Sequence, residues 1–234
     1  MKSFSNTYIF IFSTVMVILV AAILSTAAMV LQPLQQKNIE VEKKRKILGS
    51  IHVESNASNA ETLYDQYILD SYVVNTEGTV VEGVDAFGID LKDELNKPED
   101  ERYLPVFVGS LDDGSKEYVL PVRGLGLWGP IFGYVSLEND YNTIYGTNFD
   151  HDSETPGLGA EITTDWFQDQ FVGKKLFNEN GEFVSVEVTK KKADPNDPNQ
   201  VDGIGGSTLT SKGLEYMLRD CLGLYQAYFE KQLN

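Results

Sequence analysis

The chain has 234 residues, 35 of them acidic and 19 basic, with a formal net charge of −16. That balance argues against nucleic acid and anionic lipid as partners, because both carry the same sign. A single cysteine, Cys221, excludes a disulfide within the chain and any Cys-based metal or iron–sulfur centre, and His52 and His151 show no ligand spacing, so no metal site is expected.

Tyr8 to Leu31 is a run of 24 residues without a charge. At about 1.5 Å per residue it is long enough to cross a hydrocarbon core of about 30 Å. The alternative is a cleaved signal peptide, since Ala21-Ala22 and Ala27-Ala28 offer small residues, but the run exceeds a typical apolar signal region. The span holds no Asp, Glu, Lys, Arg or His, so it is expected to offer no ion or proton path of its own. Residues 1–36 are therefore expected to form a single-pass anchor, 37–57 a stalk, and 58–234 a folded domain large enough to bury one core. Lys37, Lys43, Lys44, Arg45 and Lys46 follow the span, against Lys2 before it. Taken alone, that bias keeps the domain in the cytoplasm.

Ser58-x-x-Glu61 reads as a capping box for a short helix carrying Leu63, Tyr64, Tyr67 and Ile68. Ser71–Asn75 and Thr79–Glu82 flank Glu77-Gly78 as a hairpin, and Tyr103–Val108 and Lys116–Val122 flank Asp112-Asp113-Gly114 as another. Between them, the charged stretch from Glu94 to Arg102 is expected as a loop. Ile131–Glu138 and Thr143–Asn148 continue the strands, Ala160–Phe171 reads as a helix, and Phe183–Val188 as one more strand. Lys190 to Gln200 is a Pro/Asn/Asp/Lys loop. Leu214, Met217, Leu218, Cys221, Leu224, Tyr225 and Tyr228 recur every three or four residues and predict a helix over 211–231, with Cys221 on its apolar face. The fold class is α+β, a largely antiparallel sheet with packed helices.

Asp202-Gly203-Ile204-Gly205-Gly206-Ser207-Thr208-Leu209-Thr210-Ser211 leads directly into that last helix. The free N–H groups and macrodipole of a helix start favour an anion, with the hydroxyls of Ser207, Thr208 and Thr210 close by. The plainer reading is a Gly-rich turn capping the helix. A P-loop lysine is missing, and the segment lies too late in the chain to open a dinucleotide-binding unit.

The same segment resembles the flavinylation motif of the covalent FMN-binding domain family. Glu154-Thr155-Pro156-Gly157-Leu158-Gly159 resembles a second family segment, and Gly126-Leu127-Trp128-Gly129-Pro130 a third, found in the branch serving Na+-translocating NADH:quinone reductases. The likeness covers Gly124 to the C-terminus plus the anchor. Gly205, Gly206 and Ser207 stand where Ser, Gly and Ala are more usual. His151 lies three residues before Glu154 rather than two, and is assigned no role.

The resemblance implies FMN joined through its phosphate to Thr208, with Gly205, Gly206 and Ser207 around the linkage. It also implies a ring pocket supplied by Glu154, Thr155, Gly157, Leu158, Gly159 and Trp128. Trp128 is either a flavin contact or a core aromatic; Glu154 is either a partner of the ring edge or a loop charge; Asp202 either orients Thr208 or caps the turn. No catalytic acid or base is expected, because the implied role is electron relay within a multi-subunit NADH:quinone reductase that exports Na+. The implied partners are the other membrane and redox subunits and a flavin transferase. The implied location is the bacterial inner membrane, with the FMN domain on the periplasmic side, against the charge bias. The equivalent flavoprotein of an Rnf-type complex is the alternative, and a membrane-anchored sensor without redox function is the alternative from another class.

Overall fold

The computed structural model describes residues 5–233; Lys2, counted in the charge balance across the span, lies outside them. The chain divides into two compact units, residues 1–43 and 44–234. The first consists, in its described part, of most of helix α1 (Asn6–Ser50), which is long and apolar enough to cross a membrane. Its large apolar side chains are exposed, Phe10 by 74% and Leu24 by 64%, so in water this surface would stand uncovered.

The second unit begins at Lys44 and so takes in much of the segment expected as a stalk: Ile47, Leu48 and Ile51 are fully buried. Its centre is a six-stranded antiparallel sheet built from β1 (Ile68–Val74), β2 (Val80–Val81), β3 (Leu104–Ser110), β4 (Lys116–Leu125), β5 (Pro130–Leu137) and β6 (Ile144–His151), in the order β2-β1-β3-β4-β5-β6. Every neighbouring pair is antiparallel, so short turns suffice to connect most of them. The expected hairpins are in place.

Alternate side chains of the strands enter two cores. Val74, Leu104, Val106, Leu120, Val122 and Val135 face one; Val73, Phe107, Val119 and Tyr134 face the other, with Ile47, Leu48 and Ile51. Burial on both faces explains why β3 reads as a nearly continuous apolar run rather than an alternation. The first core is closed by helices α5 (Thr208–Gly223) and α6 (Gln226–Leu233). Leu214, Met217, Leu218, Cys221 and Leu222 line the buried stripe of α5, each large side chain contributing about 1.5–3 kcal/mol. Gly124 on β4 permits the approach, because a Cβ there would stand 2.7 Å from Met217 Cβ. Cys221 donates to Arg123 O at 3.2 Å, and burial pushes its thiol up to about 11, consistent with packing rather than reactivity.

Several local expectations are corrected. Helix α2 (Ala60–Tyr67) starts after Asn59, without a capping box: Ser58 Oγ donates to Asn56 Oδ1 instead. The Glu94–Arg102 stretch is entered from a helical turn, α3 (Leu91–Leu95), and contains a 3-10 turn at Glu99–Glu101. Ala160–Phe171 is not one helix but a 3-10 turn at Gly159–Thr163, α4 (Asp165–Gln168) and another 3-10 turn. Thr164 is extended there, and its hydroxyl donates to Glu161 O at 2.6 Å, taking a carbonyl that a continuous helix would use. The strand expected at 183–188 is the shorter β7 (Glu187–Thr189), paired in parallel with β8 (Gln200–Asp202) at the end of the expected loop. The C-terminal helix starts at Thr208 and breaks between α5 and α6, where the Tyr225 hydroxyl donates to Pro105 O at 2.9 Å.

Tyr225→Phe removes that donor from a fully buried site beside the Pro105 carbonyl. It is expected to cost about 1–3 kcal/mol in chemical denaturation. A second prediction concerns Glu117, which is buried with Oε2 lacking a hydrogen bond. Burial, then the charges of Glu138, Asp113 and Asp140, push its carboxyl from about 4.5 up to about 7. The folded chain thus holds this proton more tightly than the unfolded one, and Glu117 should make stability fall as pH rises from about 4.5 to about 7. Glu117→Gln should flatten that slope in thermal melts recorded across this range.

Candidate functional site

The three sequence segments meet at one end of the sheet. Ile131 pairs with His151, and Asp152 N–H donates to Pro130 O at 3.1 Å, so the β4–β5 turn lies beside the loop that leaves β6. Within the turn, Gly126 N–H donates to Gly129 O at 2.9 Å. Gly213, in the second turn of α5, lies against the backbone of Leu125 and Gly126, where a Cβ would collide. Glycine at 213 is what brings the start of α5 to this end of the sheet.

Glu154 sits at the junction. It is 5% exposed, and both carboxylate oxygens accept hydrogen bonds: Oε1 from Trp128 N–H at 2.8 Å, Oε2 from the Thr210 hydroxyl at 2.7 Å. Its own N–H donates to His151 Nδ1 at 3.2 Å. Both carboxylate oxygens of Glu154 thus already bond protein groups. This carboxylate is no surface charge. Thr155 is exposed, and its carbonyl accepts from Leu158 N–H at 3.0 Å and Ala160 N–H at 3.2 Å, shaping the Pro156–Gly159 turn. Gly157 adopts φ 75°, a conformation costly for other residues, whereas Gly159 is buried against Glu154 and Thr210. Leu158, 40% exposed, leans over Gly206.

Trp128 is 66% exposed, so it is not a core aromatic. Leu125, Leu127 and Leu209 are also exposed, by 72%, 47% and 64%. Sequence reasoning did not single out Leu125 or Leu209; the signal available was an apolar residue at the turn or helix start with no partner in the local period.

The Gly-rich segment turns through Gly206, at φ 79°, into α5. Ser207 is the N-cap, buried and without a side-chain capping bond. Ser211 Oγ accepts from Ile204 N–H at 3.1 Å. The Asp202 carboxylate accepts from Ala193 N–H, tying down the preceding loop. Thr210 is fully buried and bonded to Glu154, whereas Thr208, the first residue of α5, is exposed. A cavity of about 130 Å³ adjoins it, lined by residues including Gly203, Gly205, Gly206, Thr208, Lys190 and Lys212. The parallel β7–β8 pair places Lys190 there, since Gly203 N–H donates to Thr189 O at 2.9 Å. The Lys212 ammonium is raised above its usual range by its hydrogen bond to Glu215.

This donor set suits a phosphate. Glycine backbone lies open at Gly205, a helix N-terminus borders the cavity and favours negative charge, and two lysines line it in an otherwise acidic chain. The volume is below the roughly 300–1,000 Å³ of whole-ligand pockets, so a nucleotide seated by its phosphate here would keep its ring outside the cavity.

Comparison with known proteins agrees with this geometry. Residues 126–223 match the FMN-binding domain family. The C subunit of the Na(+)-translocating NADH-quinone reductase of Pseudomonas aeruginosa is 34% identical over 237 residues, covering 90% of each chain. Its counterpart from Haemophilus ducreyi is also 34% identical, covering 82% of this chain and 80% of its own. Among solved structures, the same component from Parabacteroides distasonis is 43% identical with a TM-score of 0.79, over 85% of this chain and 96% of that one. Shewanella oneidensis NqrC is 26% identical with a TM-score of 0.72, over 82% and 97%. The chain belongs to the family of the C subunits of Na(+)-translocating NADH-quinone reductases, built around an FMN-binding domain.

Proposed function

We propose that this chain is the flavin-carrying C subunit of a Na+-translocating NADH:quinone reductase, with FMN joined through its phosphate to Thr208. The observation that carries the attachment site is the accessibility of the hydroxyls around the start of α5. Ser207, Thr210 and Ser211 are buried; Thr208 is exposed and borders the cavity. A phosphodiester at this position retains one negative charge, which the start of α5 favours by roughly 0.3–1 kcal/mol. Gly205 and Gly206 leave room for the phosphate oxygens without a Cβ clash, and Lys190 supplies positive charge beside Lys212, whose ammonium is paired with Glu215.

Bound FMN supplies reversible electron storage. The chain's residues hold it and govern its surroundings; no side chain is required as acid or base, which suits a site whose buried carboxylate is occupied by protein donors. Trp128, Leu127 and Leu158 offer the exposed apolar and aromatic surface on which a flat ring can lie. NADH binds on another subunit, because the sequence has no dinucleotide fingerprint. The remaining membrane and redox subunits are the partners, and a separate flavin transferase forms the Thr208 linkage. Helix α1 anchors the chain by a single pass in the bacterial inner membrane. The family resemblance supports the periplasmic side for the FMN domain. The basic residues from Lys37 to Lys46 favour the opposite side by count, with Glu40 and Glu42 between them.

Protein from a host that has the transferase should show a fluorescent band in a denaturing gel under ultraviolet light and an intact mass raised by one esterified FMN. Thr208→Ala should abolish both, and Thr210→Ala should keep them. An unlabelled native chain, or label retained in Thr208→Ala, would exclude this attachment.

A further inference from the structure

Glu154 is a buried carboxylate with no basic side chain within ion-pair distance among the described residues. Such a group is costly unless its oxygens are satisfied, and here one oxygen holds the β4–β5 turn while the other holds the first turn of α5. The surrounding chain is shaped to admit it. A Cβ at Gly126 would run into Oε1, and one at Gly159 into Oε2. The two bonds join segments 26 and 56 residues away in sequence, and the groups they fix are the backbone of the exposed Trp128 and the side chain of Thr210, two residues after the exposed Thr208.

We infer that Glu154 is a positioning residue, which ties the Trp128 backbone to the first turn of α5 and so sets the Trp128 side chain against a flavin held at Thr208. The reach of the side chain carries this role more than its charge does. A glutamine keeps the length, offers its oxygen to Trp128 N–H and its amide N–H to the Thr210 oxygen, and so preserves both ties. An aspartate keeps the charge but is one methylene too short to span both. Thr210→Val keeps the shape at 210 and severs one tie while leaving Glu154 in place. The flavin part of this inference rests on attachment at Thr208; the backbone part does not.

The test uses the full chain in two states. In flavin-free protein, hydrogen exchange at the Trp128 amide should be slow in the native chain and in Glu154→Gln, and should lose its protection in Glu154→Asp and Glu154→Ala. In flavin-loaded protein, emission quenched by Trp128 should rise in Trp128→Phe, Glu154→Asp and Thr210→Val, and stay low in Glu154→Gln. The double variant Glu154→Asp/Trp128→Phe should emit no more than Trp128→Phe alone, because both act through the same contact. A role confined to stability would lower the melting temperature without changing emission of the folded protein. Unchanged amide protection in Glu154→Asp, or loss of protection in Glu154→Gln, overturns the inference. Intact mass reports separately whether FMN is attached, so failure of the attachment reading is seen apart from failure of the Glu154 ties. If Glu154→Asp does not fold, Thr210→Val decides by its emission.

Discussion

Two hydrogen bonds to one buried carboxylate hold the candidate site together. Glu154 accepts from the Trp128 backbone and from the Thr210 hydroxyl, and these contacts join a β-turn, the loop leaving β6 and a helix start. A carboxylate removed from water without donors would cost several kcal/mol, so the donors and the tight glycines at 126 and 159 are conditions of its burial. The same contact separates two neighbouring threonines. Thr210 is turned inward and bonded, while Thr208, two residues earlier on a helix, points away and stays open.

The sheet sets where this junction lies. Strands β4, β5 and β6 are consecutive and antiparallel, so the β4–β5 turn and the chain leaving β6 emerge at the same end. Helix α5 lies on β4 through its apolar stripe, and the absence of side chains at Gly124 and Gly213 lets its axis come close. The helix therefore delivers its N-terminus, with its free N–H groups, to the two loops. The parallel β7–β8 pair adds Lys190 beside the Gly-rich segment, giving a basic border within a chain of net charge −16. An anion site and an exposed apolar surface thus sit next to each other, which matches a ligand with a phosphate at one end and a flat ring at the other.

Much of the fold was legible in the sequence. The period-two segments around Asp112-Asp113-Gly114 and Glu77-Gly78 became paired strands, and the three-to-four-residue spacing from Leu214 onward became the buried face of α5. Two of the expectations that failed did so where side chains compete with backbone for hydrogen bonds. Ser58 bonds Asn56 rather than a helix start, and Thr164 interrupts what its apolar spacing alone would read as one helix. The Leu91–Leu95 turn went unread because a five-residue helix is too short to show a period.

The sequence by itself determined the long apolar N-terminal run, the α+β class, the single cysteine and the segment that carries Thr208, because these depend on composition and on neighbours along the chain. Its motifs also named the three segments that belong together. Only the tertiary structure decided which groups Glu154 and Asp202 meet and that Trp128 is exposed. Glu154 faces inward to Trp128 and Thr210, Asp202 holds Ala193, and Trp128 stands exposed. The physical reason is that burial and hydrogen-bond partners at these positions are set by residues 9 to 56 places away in sequence, and no local pattern encodes which oxygen meets which donor once the strands and α5 have packed.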